Sequence, residues 1–249
     1  IGVIMGSNIG TTITAWILSL AGIQSDNFWV RIFKPESFCP LLALFGIMMI
    51  LGSKKMRRQD IGRVMVGFAV LMYGMQLMAG SMTPLANDPN FQQYMLAFKN
   101  PILGLAVGTV ITAVIQSSAA SVGILQALSM TGNVTYGMAL PIIMGQNIGT
   151  CITAFISSIG VNANARKVAV VHVSFNIIGT IVFLAFYLGF NAIFHLKFIN
   201  ESINPAMIAV VHSVFNITTT IMLFPFIKQL EKIANFVIKS KGKEDRERV

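Results

Sequence analysis

Two nearly identical polar segments occur within apolar stretches of this chain. Residues 4–15 read Ile-Met-Gly-Ser-Asn-Ile-Gly-Thr-Thr-Ile-Thr-Ala, and residues 143–154 read Ile-Met-Gly-Gln-Asn-Ile-Gly-Thr-Cys-Ile-Thr-Ala. Chance similarity between apolar helices would match Ile, Ala and Leu, whereas here the asparagine, the glycines and the threonines agree, so the pattern indicates an internal duplication. The Asn8 and Asn147 side chains, with carbonyls of unwound backbone nearby, are candidate neutral ligands for a cation.

A third polar sequence, Gln116-Ser117-Ser118, lies in the middle of the apolar stretch at residues 101–130. This stretch carries too many polar residues for a span that faces lipid, and broken backbone is tolerated at membrane depth only inside protein or beside water. We therefore predict a re-entrant helical hairpin with its tip at this sequence. Backbone N–H groups at the broken helix ends, with the serine hydroxyls, would bind an anion through partial positive charge.

Each of these motifs also has a purely structural interpretation. Gly6 and Gly10, like Gly145 and Gly149, have the spacing of a close-packed GxxxG helix face, although packing alone does not require the asparagine. The Gln-Ser-Ser sequence is also compatible with ordinary hydrogen bonds between helices. Both interpretations stay open at the level of the sequence.

A shorter self-match repeats His and Asn four residues apart, which places them on one face of a helix. It pairs His172 and Asn176 with His212 and Asn216. We predict polar contacts between packed membrane helices, because His and Asn commonly connect such helices. A binding site or a proton relay is the alternative.

Composition identifies the environment of these motifs as a lipid bilayer. The chain has 55% hydrophobic and 11% charged residues, and its long apolar stretches mostly reach the roughly 20 residues that a spanning helix needs. We predict an all-α, polytopic membrane protein. The two cysteines lack metal-ligand spacing and are expected to be buried as small hydrophobic residues.

The charges lie outside the predicted spans, and their positions argue against nucleic acid as a partner despite a net charge of +9. Most basic residues fall in residues 54–63, at residues 166–167 and in the tail at 228–249. The positive-inside rule makes these regions cytoplasmic. With a re-entrant hairpin between them, the two copies of the repeated motif run in opposite directions, as in secondary transporters.

The carboxylates also fall in predicted loops or the tail. Proton-coupled carriers commonly use carboxylates within the membrane, so their absence from the spans favours a metal cation bound by neutral oxygens. Sodium meets that requirement. The histidines keep a proton mechanism as an alternative.

At these residues the chain resembles the type II sodium-phosphate cotransporter family, including its bacterial members. That family has two inverted repeats, each with a Gln-Ser-Ser-Ser hairpin followed by an Asn-Ile-Gly-Thr helix. Residues 61–227 look like the complete second repeat with its following helices, and residues 1–60 look like the end of the first. By this resemblance the first half of the first repeat is missing, and Ala119 stands where the family usually has a third serine.

The resemblance implies sodium-coupled symport of inorganic phosphate by alternating access, with no enzymatic activity. It implies that sodium lies near Gln116, Ser117 and Asn147. The expected location is the plasma (inner) membrane, with several spans and a cytoplasmic C-terminal tail at 228–249. The residues implied to line the phosphate and sodium site are Gln116, Ser117, Ser118, Asn147, Thr150, Asn8 and Thr11.

Other functions and partners stay open. A carrier of another small anion and a non-transporting phosphate sensor are alternatives, because neutral donors do not by themselves identify phosphate. The expected partners are phosphate, sodium and the lipid bilayer, with a homo-oligomer as an open possibility and no cofactor besides the coupling ion. The chain is expected to be a fragment, because Ile1 has no preceding methionine and lies at once in an apolar helix.

Overall fold

A computed structural model of the chain describes residues 1–22, 34–86 and 88–239, and these residues are almost entirely helical. The all-α prediction is confirmed, since this part of the chain contains no strand beyond one isolated bridge, between Thr135 and Ser202. The helices are α1 (Gly2–Ser19), α2 (Pro35–Gly52), α3 (Met56–Ala86), α4 (Pro89–Ala97), α5 (Pro101–Ile115), α6 (Ser118–Ser129), α7 (Tyr136–Ser157), α8 (Ala163–Phe194), α9 (Pro205–Leu223) and α10 (Ile227–Val237).

Five helical segments of the described chain are long and apolar enough to cross a membrane. A sixth is counted if α4 and α5, which meet at an angle of 102°, form one bent span. The prediction of a multi-pass membrane protein is confirmed. The five segments are Gly2–Gly22, Met56–Pro84, Tyr136–Ser157, Ala163–Phe194 and Pro205–Val237.

The predicted re-entrant hairpin is formed by α5 and α6, which are joined at Gln116 and Ser117. Helix α5 runs parallel to α7, because Gly104 lies against Pro141 near the start of both helices and Gly149 lies against Thr109 further along. At 1.5 Å per residue α5 spans about 22 Å and α7 about 33 Å, so the tip stops short of the far end of α7. Helix α6 then returns, and its last residues share a cavity with the start of α9. The hairpin therefore enters and leaves at one end of the bundle.

Three antiparallel packings fix the relative direction of the two copies of the repeated motif. Helix α1 is antiparallel to α9, α9 is antiparallel to α8, and α8 is antiparallel to α7. It follows that α1 and α7, which carry the two copies, run in opposite directions as predicted. Between α1 and α9 the direction follows from the contacts of Gly22 with Pro205 and of Trp16 with Ser213. Between α8 and α9 it follows from Gly179 with Thr219 and Phe183 with Phe215. Between α7 and α8 it follows from Gly137 with Tyr187 and Cys151 with Asn176.

Glycines allow α5 and α7 to approach backbone to backbone. A Cβ atom at Gly149 would lie 2.5 Å from the Thr109 carbonyl oxygen, and one at Gly145 would lie 2.9 Å from the Thr109 nitrogen. A Cβ at Gly108 would overlap the carbonyl group of Ile142. No side chain fits between these backbones, so the pair holds the hairpin firmly against α7.

Two helices differ from what the apolar pattern predicts. Helix α4 lies between two predicted spans, where Asp88 caps it by accepting hydrogen bonds from the N–H groups of Asn90 and Phe91. Helix α10 forms from the amphipathic start of the basic tail and packs on α8 with Leu230 and Ala234 buried. The rest of the predicted tail, residues 240–249, lies outside the described residues.

Candidate functional site

The tip of the hairpin has an unusual backbone conformation. Gln116 has φ 58° and ψ 22°, in the left-handed region that residues other than glycine seldom adopt. Its N–H still donates to the Thr112 carbonyl at 2.8 Å, so Gln116 ends α5 while its side chain stays exposed. Left-handed residues outside glycine are concentrated at binding sites, where the surrounding structure holds them in place.

Helix α6 begins immediately after this turn with backbone donors available. The Ser117 hydroxyl caps the helix by accepting from the Ala120 N–H at 3.2 Å. Within the described residues the N–H groups of Ser118 and Ala119 have no hydrogen-bond acceptor. These donors lie at the positive end of the helix dipole, so the tip has the features of an anion site.

A buried hydrogen-bond network holds the two arms of the hairpin together and ties them to α7. The Thr112 hydroxyl donates to the Ser121 hydroxyl at 2.7 Å, and the Gln146 amide donates to the Ser121 carbonyl at 2.9 Å. Sequence reasoning did not assign this role to any of the three residues. The difference between the two copies could have indicated this role, because Gln146 stands where the first copy has a serine.

In the second copy, Asn147 and Thr150 bond to their own helix. The Asn147 amide donates to the Ile143 carbonyl at 2.9 Å, and the Thr150 hydroxyl donates to the Gln146 carbonyl at 2.8 Å. Because the Asn147 nitrogen is engaged, the carbonyl oxygen of its side chain is the group left to bind a ligand. Asn147 is 6% exposed, whereas Gln116 at the hairpin tip is exposed.

In the first copy, Thr11 bonds to its own helix and Asn8 is buried in the bundle. The Thr11 hydroxyl donates to the Ser7 carbonyl at 3.0 Å, which repeats the pattern of Thr150. Asn8 is buried, and its side-chain nitrogen has no partner. Within the described residues no hydrogen bond joins Asn8 or Thr11 to the hairpin, and the bonds of Asn147 and Thr150 likewise stay within their own helix.

The glycines of the two copies have different surroundings. Gly145 and Gly149 face the backbone of α5 at distances too short for a side chain. The equivalent Gly6 and Gly10 face open space, with no heavy atom within 4 Å of an added Cβ. The described chain thus contains a helical partner for the glycine face of α7 but none for that of α1.

The repeated histidine and asparagine residues lie inside the bundle. The Asn176 amide donates to Cys151 on α7 at 3.3 Å and to the His172 carbonyl at 3.1 Å. The Asn216 amide donates to the His212 carbonyl at 3.0 Å. Asn176 therefore makes a polar contact between helices, while the carbonyl oxygens of both asparagine side chains have no partner.

The model of the Na+/Pi-cotransporter family matches residues 1–80 and residues 70–204, which together cover most of the chain. No solved structure gives a significant match.

Curated relatives include bacterial and animal proteins. The chain is 28% identical over 185 residues to YjbB of Salmonella typhimurium, provisionally named an inorganic phosphate export protein, covering 74% of this chain and 32% of that protein. It is 33% identical over 142 residues to human sodium-dependent phosphate transport protein 2B, covering 51% of this chain and 20% of that protein. The chain thus spans about a third or less of the length of these relatives. The match of the family model over most of its residues shows that the chain belongs to the Na+/Pi-cotransporter family, a family of transporters and not of enzymes.

Proposed function

We propose that the protein containing this chain carries inorganic phosphate across a membrane, with the anion bound at the tip of the α5–α6 hairpin. The observation that carries the proposal is the left-handed Gln116 followed by the unpaired N–H groups of Ser118 and Ala119. Phosphate accepts several hydrogen bonds, and these donors bind it without a fixed positive charge. Gln116, Ser117 and Ser118 would contact the anion.

Sodium coupling is part of the same proposal. The Asn147 carbonyl oxygen and the Ser117 hydroxyl are neutral ligands of the type that binds Na+. Within the described residues no group of three His, Cys, Asp or Glu side chains is placed to hold a metal ion. A monovalent cation bound by neutral oxygens therefore suits this chemistry better than a transition metal does.

The second half of the transport site would come from the first copy. The open face of α1 at Gly6 and Gly10 matches the face of α7 that holds the hairpin. We propose that a second hairpin packs there in the working transporter and brings its own polar tip toward Asn8 and Thr11. Movement of one repeat against the other would then give alternating access.

The orientation in the membrane is proposed from the basic residues. Lys167, near the start of α8, and Glu231 of α10 line one cavity, so the basic residues near both lie at the same end of the bundle. From the positive-inside rule we propose that this end is cytoplasmic, and we propose the plasma membrane as its location. The hairpin would then enter from the opposite side.

Radiolabelled phosphate uptake into proteoliposomes tests the proposal on the intact protein. An inward sodium gradient is compared with potassium and with a pH gradient, for the wild type, Gln116→Ala and the control Gln229→Ala on the exposed face of α10. We expect sodium-dependent uptake that only the Gln116 variant loses.

Two other results would each change the assignment. Uptake driven by pH alone would refute sodium coupling. Phosphate release from loaded vesicles without a sodium requirement would instead favour an exporter, the activity that the name of YjbB describes.

A further inference from the structure

An apolar groove with a volume of about 320 Å³ lies on the side of the bundle where α7, α8 and α9 meet. Leu140 of α7 and Tyr187 of α8 line the groove and are buried, so they form its floor. All three helices belong to segments that are long and apolar enough to cross a membrane. The surroundings of the groove are therefore the acyl chains of a bilayer.

Helical periodicity brings the walls of the groove together. Phe186 and Phe190 are four residues apart on one face of α8, and their rings stack with centroids 5.6 Å apart. Val210 and Val214 are likewise four apart on α9 and line the groove from the other side. The stacked rings form a continuous wall, and the valines opposite are too small to fill the space between the two helices.

One end of the groove is formed by the connection between α8 and α9. Leu196 and Phe198 of this connection line the groove, and Phe198 packs edge to face on Tyr136 at a centroid distance of 5.6 Å. Lys197 lies between them in the chain, is exposed, and forms no salt bridge with another described residue. A lysine at such a position keeps its apolar stem against the protein while its ammonium group reaches the polar surface of the membrane.

The other charged residue of this connection does not oppose Lys197 at the groove. Glu201 follows the short turn at Lys197–Asn200 and is not among the lining residues. Its carbonyl oxygen accepts a hydrogen bond from the Tyr136 N–H, which ties it to the start of α7. The groove is thus apolar along its length and has a positive charge at the end where the helices meet the membrane surface.

These features match one molecule of the bilayer. A volume of 320 Å³ holds about ten methylene groups, if each takes the roughly 30 Å³ of a liquid water molecule. Acyl chains are as apolar as the lining side chains, so packing decides what fills the groove, and an empty groove would lose dispersion contacts along both walls. The anionic phosphate that follows the acyl chains of a phospholipid suits the ammonium of Lys197. We propose that the groove binds one phospholipid, with an acyl chain between α8 and α9 and its phosphate at Lys197.

Native mass spectrometry of the intact protein in detergent, after removal of bound lipid, tests the proposal. The protein is titrated with dioleoylphosphatidylglycerol and, separately, with dioleoylglycerol, which has the same chains but no phosphate. Val210→Trp and Val214→Trp fill the groove, and Ile221→Trp is their control because Ile221 is exposed on the same helix outside the groove. Lys197→Gln removes the charge, and its control is Lys99→Gln, an exposed lysine in the connection before α5.

We expect one phosphatidylglycerol molecule to bind in a saturable manner. The groove-filling variants should raise its Kd at least about tenfold and Lys197→Gln about fivefold, while both controls leave it unchanged. Dioleoylglycerol should bind at least about fivefold more weakly. If one tryptophan variant fails to fold, the other provides the result for the groove.

Three outcomes would overturn the proposal. These are equal binding of the two lipids, an unchanged Kd in the groove and Lys197 variants, and no bound lipid on the intact protein, as would follow if another part of that protein covered the groove. None of these measurements uses transport of phosphate or sodium. The lipid site and the proposed function can therefore fail independently.

Discussion

Alanine at equivalent glycines of the two repeat copies should have opposite effects on the stability of this 249-residue chain. A Cβ at Gly149 would lie 2.5 Å from the Thr109 carbonyl oxygen and 2.7 Å from the Thr112 Cβ, where ordinary contact begins at 3.4 Å. The backbones of α5 and α7 would have to separate by about 0.9 Å, because a carbonyl oxygen cannot rotate away as a flexible side chain does. Overpacking of this kind costs about 1–3 kcal/mol.

The matched substitution in the first copy, Gly10→Ala, meets no such obstacle. An added Cβ at Gly10 has no heavy atom within 4 Å. Alanine is favoured over glycine in a helix interior by about 1 kcal/mol, so Gly10→Ala should be neutral or mildly stabilising. The two variants should therefore differ by about 1–3 kcal/mol, the packing cost alone, because the propensity gain is common to both helices.

Thermal unfolding in detergent, followed by intrinsic fluorescence and by size-exclusion chromatography after heating, measures the difference. Equal effects of Gly149→Ala and Gly10→Ala on the 249-residue chain would refute the asymmetric packing described here. In the intact protein, where we propose that a second hairpin covers α1, Gly10→Ala should become destabilising as well. A neutral effect there would contradict that proposal.

Three further substitutions test the hairpin and its support. Gln116→Gly should relieve the left-handed turn of about 1–2 kcal/mol of strain, while Gln116→Ala should leave that strain as it is in the wild type, and both should abolish phosphate uptake. Uptake retained by the glycine variant would exclude a role for the side chain. Ala119→Ser should lower the KM for phosphate or sodium severalfold by adding a hydroxyl beside the free N–H groups, and an unchanged KM for both would contradict this. Gln126→Leu should lower the unfolding free energy by about 1–3 kcal/mol, because the Gln126 amide donates to the carbonyls of Ala15 and Pro205 at 2.9 and 3.0 Å; an unchanged melting temperature would show that this bridge is dispensable.

Local patterns in the sequence were sufficient for the membrane spans and the hairpin, but not for every helix. Mean apolarity identifies the spans, because a bilayer demands long apolar helices. The polar interruption at Gln116 identifies the hairpin, because lipid does not tolerate it. Asp88 as a helix cap and Pro89 as a first helical residue also predict a helix start at this point. Helix α4 was not predicted, because the spans were identified from long apolar stretches and α4 is short.

The sequence identified the repeated motif, but not what each copy contacts. Gly10 and Gly149 occupy the same position of the motif, yet one faces open space and the other a carbonyl oxygen. The contrast depends on which helix packs alongside, and that helix is remote in the sequence. The same limit applies to Gln126, whose bonds to Ala15 and Pro205 cross 111 and 79 residues of chain.

The sequence alone thus determined the membrane environment, the duplication, the hairpin and the family resemblance, because these depend on composition and on short motifs. Only the tertiary structure decided that α5 lies in backbone contact with α7 and that Ser121 joins Thr112 to Gln146. The physical reason is that close packing and hydrogen-bond satisfaction are properties of pairs of helices. Their outcome depends on distances between residues that no local pattern records.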